Sequence, residues 1–480
     1  MKTIWGISGY AHDAAISVIK NKEIVFASSS ERFSRIKNDK KLNSDMINYA
    51  LQYGYPEKIV WYENPYKKFL RKLIIDKQIT SPFIKLNLNT KISYVDHHTS
   101  HLNSCLYTSP FEIKNTLGVI VDSVGEFLSL SVWDIKDFNK KKIIYKTNYP
   151  NSLGLFYSAI TELLGLKPQE DEYILMGMAS YGKTYKYYNY FSKYFFKNGK
   201  LILDLRKGCK GIFSDKEIEK NRYDIALGAQ KIFEDVVVGI IKKYMSITGY
   251  RNIILGGGCA LNCTCNSKIL ELADNMWVFP NPGDSGASLG AALGELKDPI
   301  ELKNMYLGYD AGNSLGPITV ARHINYFSTV GVITGKAEFG PRALGNRSIL
   351  ADPRVKNIKE IVNNIKGREQ FRPFAPIILK EHFNEYFYNP KTSNHYPYMQ
   401  YTFFAKHAYK YPGIVHIDNT SRVQTVDTST PFIYKVLKKW YSLTGCPILL
   451  NTSLNIKGKP LLNSLNDLEE FKDRGLTILS

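Results

Sequence analysis

A mixed α/β fold with a duplicated first part is predicted by three observations. A strand, a polar turn and a second strand occur twice, about a hundred residues apart, first at 4–28 and again at 117–147. Helical spacing of apolar residues separates and follows these units. From about residue 300 the pattern changes, and short strand-like runs alternate with basic loops.

The elements follow in order. Residues 4–8 read as an apolar strand leading into the turn Gly9-Tyr10-Ala11-His12-Asp13. Residues 14–19 and 23–28 alternate around the polar turn Lys20-Asn21-Lys22 and predict two further strands. Residues 43–53 have helical spacing, and 92–95 form a short strand. The second unit has a strand at 117–121, an acidic turn at 122–126 and strands at 127–134 and 143–147. Helices are expected at 152–164 and 223–245. A strand at 252–255 runs into Gly256-Gly257-Gly258, a strand at 277–279 follows, and a helix starts at 287 after Gly283-Asp284-Ser285-Gly286. The C-terminal strands are expected at 329–334, 374–379, 423–426 and 447–450. The domain division is therefore 1–300 and 301–480.

With 480 residues, 44% hydrophobic and 22% charged, the chain has ordinary globular composition and is not a disordered or collagen-like sequence. Its 63 lysines and arginines against 44 acidic residues give +19, which suits anionic ligands such as phosphates, nucleotides or nucleic acid. No run of about 20 apolar residues predicts a membrane span. His12 and Asp13 interrupt the one N-terminal stretch that looks faintly like a signal peptide. Six scattered cysteines form no disulfide framework and point to reduced thiols in a cytoplasmic protein.

Three groups of residues can carry chemistry. His97 and His101 stand four apart, so both imidazoles fall on one helix face and can supply two ligands to a divalent ion. A zinc-protease HExxH motif fails because His98 occupies the glutamate position. Asp122 and Asp284, acidic positions after apolar strands where α/β folds build sites, strengthen that candidate. The glycine loops, with Gly125, Gly257, Gly258 and Gly283, allow backbone N–H groups to approach a nucleotide. The basic set Arg342, Arg347, Lys366, Arg368, Arg372 and Arg422, with Asn451 and Ser453, lies in Gly/Pro/Asn loops suited to phosphate oxygens. Residues 177–184 match the P-loop expression letter for letter, but the bulky middle residues and the lack of a following apolar strand ending in aspartate argue for coincidence. The Lys-aromatic stretch 183–200 reads as an amphipathic helix rather than a base-stacking surface.

Taken in order, several segments resemble the O-carbamoyltransferase family of antibiotic biosynthesis and nodulation-factor modification. They include Gly6-Ile7-Ser8…His12-Asp13-Ala14, Glu31-Arg32-Phe33-Ser34-Arg35-Ile36-Lys37 and Asp96-His97-His98…His101. They continue with Met176-Gly177-Met178-Ala179-Ser180-Tyr181-Gly182, Gly257…Ala260-Leu261-Asn262, 338–348, Arg368…Phe371-Arg372-Pro373-Phe374-Ala375-Pro376 and Asn451-Thr452-Ser453. The resemblance spans about 4–460. It implies an ASKHA-type (actin/Hsp70-like) N-terminal domain and a YrdC-like C-terminal domain. It also implies formation of carbamoyl-adenylate from ATP and carbamoyl phosphate, then transfer of the carbamoyl group to a hydroxyl. The resemblance assigns a divalent metal, Fe2+ in most such enzymes, to His97, His101, Asp122 and Asp284, with Mg2+ accompanying ATP. It adds Asn262 to the nucleotide-binding set, and we take His12 as the candidate general base. It also explains 177–184 as a family segment. Ser123, Lys336-Ala337 and Ile174 depart from the family pattern. The expected partner is a small-molecule, sugar or nucleotide acceptor bearing a hydroxyl. Nucleic acid is not favoured, no membrane is expected, and a homodimer is left open. The alternatives are a tRNA-modifying carbamoyl or threonylcarbamoyl transferase and a non-catalytic nucleotide-binding module.

Overall fold

The computed structural model describes residues 3–79, 81, 86, 88–194, 196, 197, 200, 201 and 211–480. The fold is mixed α/β, and the chain forms two compact units. The first comprises Met1–Ser8, Ile16–Ile24 and Tyr53–Glu301; the second comprises Gly9–Ala15, Val25–Gln52 and Leu302–Ser480. The break near residue 300 thus coincides with the change of pattern in the sequence. Two earlier segments, which the linear division placed in 1–300, group instead with the C-terminal unit.

The duplication is visible in strand order. One five-stranded sheet contains β1 (Thr3–Ser8), β2 (Ala15–Lys20), β3 (Glu23–Ser29), β4 (Lys58–Trp61) and β5 (Ile92–Tyr94), ordered β3-β2-β1-β4-β5. The other contains β6 (Thr116–Gly125), β7 (Leu128–Ile135), β8 (Lys141–Asn148), β9 (Asn252–Gly256) and β10 (Asn275–Val278), ordered β10-β9-β6-β7-β8. Numbered within each half, both orders read 3-2-1-4-5. In both, the first strand pairs parallel with the fourth and the fourth with the fifth. The central strands are buried along their length, which is why 4–8 and 117–121 read as continuous apolar runs rather than alternating ones.

Two differences from the sequence reading matter for the site. The expected turn at 122–126 is strand as far as Gly125, and the β6–β7 register shifts between Val121 and Gly125. Such a bulge re-aims a side chain without ending the strand, and Asp122 sits in it. The helix expected from 287 starts three residues earlier, as Asp284–Leu296, with Gly283 at its N-cap.

That helix packs on the His97–Leu106 helix through small residues. A Cβ on Gly290 would stand 1.8 Å from the Ser100 carbonyl oxygen, and one on Gly6 would stand 1.8 Å from the Ser288 oxygen. The backbones approach so closely only because these positions lack a side chain. Gly290→Ala is therefore expected to destabilise the first unit by at least about 1–3 kcal/mol, the usual range for overpacking. Urea unfolding with an unchanged midpoint would contradict this packing.

The second unit is built on a six-stranded mixed sheet. Its strands are β11 (Thr329–Ile333), β12 (Arg347–Ala351), β13 (Ala375–Leu379), β14 (Gln424–Val426), β15 (Ile448–Ser453) and β16 (Ile478–Leu479). They are ordered β14-β13-β15-β12-β11-β16. The helices Pro317–Phe327 and Pro431–Thr444 pack against one another and against this sheet, burying Val320, Ile324, Val436 and Trp440. Among the described residues, no helix is long and apolar enough to cross a membrane.

Candidate active site

The His97–Leu106 helix is unusual in being polar and buried at once: His97, His98, Ser100, His101, Asn103 and Ser104 are all buried. Burying such groups is costly unless each finds a partner. Ser100 Oγ donates to the Tyr62 carbonyl at 2.7 Å, Ser104 Oγ donates to the His101 carbonyl at 2.8 Å, and His98 Nδ1 pairs with Ser131 Oγ at 2.7 Å. Burial and the neighbouring His97 push the His98 pKa down to about 3, so this imidazole is neutral. It is a packed core histidine beside the pair that faces the site.

His97 and His101 meet Asp122 and Asp284. His97 Nε2 lies 2.8 Å from Asp122 Oδ2 and 3.5 Å from Asp284 Oδ1. His101 Nε2 lies 3.2 Å from Asp122 Oδ2, 3.5 Å from Asp284 Oδ1 and 3.0 Å from His97 Nε2. One ligand atom from each of the four residues falls within 4.8 Å of all the others. Ligand atoms about 2.1 Å from a tetrahedral ion lie about 3.4 Å apart, close to the spacings between these groups. Two imidazoles and two carboxylates suit a divalent transition metal better than Ca2+ or Mg2+, which favour all-oxygen sites. The donor set therefore fits the metal that the resemblance implies. Burial opposes charge on His101, but hydrogen bonds to Asp122 and Asp284 and their charges outweigh it and raise its pKa to about 9. Burial likewise opposes ionisation of Asp122, yet the two histidines hold it well below the usual carboxylate range.

The glycines around the cluster divide by role. A Cβ on Gly125 would stand 2.2 Å from His97 Cδ2, so this glycine makes room for the imidazole. Gly257 has φ +87°, and its Cβ would meet the Val121 carbonyl oxygen at 2.3 Å. A Cβ on Gly258 would stand 3.3 Å from Asp122 Oδ1, which places this loop directly beside the cluster. Gly283, at the N-cap of the Asp284 helix, has open space around its Cβ position. Asn262 is engaged locally: its Oδ1 caps the Cys263–Leu272 helix at Cys265 N, and its amide pairs with Gln230 in both directions.

His12 belongs to the second unit, with Nδ1 3.0 Å from Asp13 Oδ2. Its loop is fixed by Tyr10 N to Lys40 O and Ala14 N to Asp39 O, both 2.8 Å. The loop thus hangs on the residues that follow the Glu31–Lys37 segment. Arg32, buried in the same unit, donates from Nη2 to the Gly340 carbonyl at 2.5 Å.

The basic C-terminal set separates into two groups. Lys366 Nζ donates to Asn455 Oδ1 at 2.9 Å, Asn455 O at 2.8 Å and Ser453 Oγ at 3.3 Å, and also to the Ser453 carbonyl. Burial, with Arg368 and Arg372 nearby, drives the Lys366 pKa well below its ordinary value. Arg368 stacks over Phe374 and bonds Asn363 Oδ1 at 2.6 Å, while Arg372 Nη1 lies 3.7 Å from Glu369 Oε2. Lys366 is therefore a correction to the sequence reading: its buried ammonium ties the Ser453–Asn455 segment and is not free for phosphate, whereas Arg368 and Arg372 are half-buried beside it.

Arg347 is a correction to the sequence reading. It is fully buried and donates to the carbonyls of Asn463, Thr334, Asn346, Tyr309 and Gly335. Every nitrogen is committed to backbone, so it scaffolds the loop instead of facing phosphate. Glu338 completes this scaffold, its Oε1 accepting from the backbone of Leu344, Asn346 and Arg347. Asn451 Nδ2 donates to Ala343 O and Gln424 Oε1 and belongs to the same frame. Arg342, half-buried, lies in this loop, and Arg422 ends the strand Thr420–Arg422. Arg347→Met is expected to cost more than about 3 kcal/mol, because several buried carbonyls would lose a charged donor. Denaturant unfolding measures this; an unchanged stability would contradict the scaffold role.

The P-loop look-alike does not form a P-loop. Residues 177–179 end the helix Glu172–Ala179, where a P-loop needs a strand before its loop. Lys183 N and Thr184 N donate to Asp224 Oδ1 at 2.5 and 3.0 Å. Lys183→Ala should leave any nucleotide turnover of the protein within a few-fold of wild type, and a collapse of turnover in the folded variant would revive the P-loop. In the aromatic stretch that follows, Tyr187 and Phe191 are buried in the helix Lys186–Tyr194 and pack on Phe213, as an amphipathic helix requires. Phe195 lies outside the described residues.

The family descriptions Carbamoyltransferase N-terminus and Carbamoyltransferase C-terminus match residues 3–62 with 58–293, and 321–479, respectively. The chain belongs to the carbamoyltransferase family. It is 34% identical to an uncharacterised protein of Methanocaldococcus jannaschii over 95% of this chain and 94% of that one. It is 30% identical to the nodulation protein NolNO of Sinorhizobium fredii, over 95% of this chain and 76% of that protein. Among solved structures it is similar to HypF of T. kodakarensis, with 16% identity, 62% of this chain and 47% of that chain covered, and a TM-score of 0.41.

Proposed function

We propose that this carbamoyltransferase is an ATP- and carbamoyl-phosphate-dependent O-carbamoyltransferase, with its first domain of ASKHA type and its C-terminal domain YrdC-like. The observation that carries the reading is the occurrence, on one chain of this family, of a four-ligand cluster and of the half-buried arginines Arg368 and Arg372.

Carbamate is a poor carbonyl electrophile because its oxygen leaves badly. Hydrolysis of the phosphoryl link in carbamoyl phosphate releases phosphate and carbamate. Attack of a carbamate oxygen on the α-phosphorus of ATP expels pyrophosphate and forms carbamoyl-adenylate. The acceptor hydroxyl then attacks the carbonyl, AMP leaves with the electron pair, and the hydroxyl proton passes to a base. Arg368 and Arg372, with Arg342 and Arg422, have the charge to bind the phosphates of the first stage, and Ser453 adds a neutral hydrogen-bonding group. His12 is the base of the second, its ring oriented by Asp13 in the way a carboxylate orients a catalytic imidazole. His97, His101, Asp122 and Asp284 would hold a divalent metal, Fe2+ by preference, whose bound form supplies Lewis-acid stabilisation of negative charge. Gly258 lies beside that cluster and Gly283 has open space at its Cβ position, and these loops are our candidates for approach to a nucleotide.

The acceptor is a hydroxyl-bearing small molecule, sugar or nucleotide. Purified protein incubated with ATP, carbamoyl phosphate and a library of such acceptors should give one class a carbamoyl mass gain by mass spectrometry. A gain on transfer RNA instead, with steep salt dependence of RNA binding, would replace this reading with a tRNA-modifying one.

A further inference from the structure

Two successive residues after β4, Tyr62 and Glu63, reach the metal-ligand cluster, and neither stands out in the sequence. Tyr62 is fully buried, donates from its hydroxyl to Asp284 Oδ2 at 3.3 Å, and packs its ring 5.2 Å from that of His97. Glu63 is 4% exposed, with Oε1 held 2.5 Å from Lys68 Nζ. Its other oxygen, Oε2, stands 4.0 Å from His97 Nδ1. That nitrogen is buried and has no hydrogen-bond partner.

The tautomer of a ligating histidine makes this arrangement meaningful. His97 faces the cluster with Nε2. A neutral imidazole that gives its Nε2 lone pair to a metal carries its proton on Nδ1, and that N–H requires an acceptor in a buried site. The other buried carboxylate close to the ring's backbone, Glu126, already accepts from His97 N at 3.2 Å and Asn64 N at 2.5 Å. We infer that Glu63 is the outer carboxylate of a metal–His97–Glu63 relay. It accepts a hydrogen bond from His97 Nδ1–H, directly after a small ring rotation or through one water, and so fixes the ligand's tautomer. Lys68 engages only the other oxygen, Oε1, and leaves Oε2 for His97. Glu63 is a positioning residue: it acts on the metal through His97.

The inference rests on the reading of His97, His101, Asp122 and Asp284 as a metal site, so the test separates the two. The full-length protein is stripped with a chelator and titrated anaerobically with Co2+, whose visible absorption reports coordination. The wild type is expected to bind one equivalent. Glu63→Gln is expected to bind about 10–100-fold more weakly, the usual effect of losing an outer-shell partner. Lys68→Gln, which removes the ion pair but keeps the acceptor, should stay within a few-fold of wild type. Glu63→Asp should recover part of the loss, and thermal melts of the metal-free variants show whether each is folded. Absence of Co2+ binding by the wild type would sink the metal site itself. Equal affinity of wild type and Glu63→Gln would overturn the relay alone. Equal weakening by Glu63→Gln and Lys68→Gln would mean that the ion pair only supports the local fold, and would also overturn it.

Discussion

On the proposed metal site, His101→Ala is expected to abolish metal binding and, with it, carbamoyl transfer. His101 has no exposure to solvent, and its Nε2 is within 3.5 Å of the other three ligand groups. Removing it takes one of four donors and leaves Asp122 and Asp284 facing one another with half of their cationic counterpart gone. Breaking a buried ionic cluster from one side typically costs about 3–5 kcal/mol, so the variant's melting behaviour must be compared with its metal content. The neighbouring His98→Asn is the control, because His98 bonds Ser131 and lies outside the cluster. Elemental analysis should show metal in the wild type and in His98→Asn and little in His101→Ala. Undiminished metal in His101→Ala would remove this site from the account.

The second large effect separates the half-reactions. Arg372 lies in the cationic group of the C-terminal unit, and its charge acts on buried Lys366. Removing an arginine from a desolvated phosphate contact costs about 1.5–3 kcal/mol, or more where a charge is left unpaired, which is on the order of ten- to more than a hundredfold in rate. Arg372→Ala should therefore lose carbamoyl-phosphate-dependent exchange of pyrophosphate into ATP. His12→Ala should keep that exchange and fail to carbamoylate the acceptor, since a base for the hydroxyl is not needed to make the adenylate. Equal loss of exchange in both variants would contradict this division of roles.

That His97, His101, Asp122 and Asp284 come together was largely legible in sequence because the signals are local. The i, i+4 histidines fall on one helix face, and each aspartate follows a strand with an apolar core run. The duplication was legible for the same reason, as a grammar of strand, turn and strand. What was not legible depends on partners far apart in the chain. Tyr62 and Glu63 are an ordinary tyrosine and glutamate until folding sets them beside Asp284 and His97. Arg347 and Arg372 look alike in their loops, and only the carbonyls of Thr334, Tyr309 and Asn463 reveal that the first is scaffold. Gly125 reads as a turn glycine, yet its role is the space it leaves for His97. A linear division could not show that 9–15 and 25–52 join the C-terminal unit, because the chain enters that unit early and then leaves it.

On the proposed function, this carbamoyltransferase activates its carbamoyl group as an adenylate before any acceptor is involved. The most direct measurement is exchange of labelled pyrophosphate into ATP by the purified wild-type protein, without acceptor, with and without carbamoyl phosphate. Exchange is expected to require carbamoyl phosphate and to be abolished in Arg372→Ala. Carbamoylation of an acceptor by a protein that shows no such exchange would contradict it.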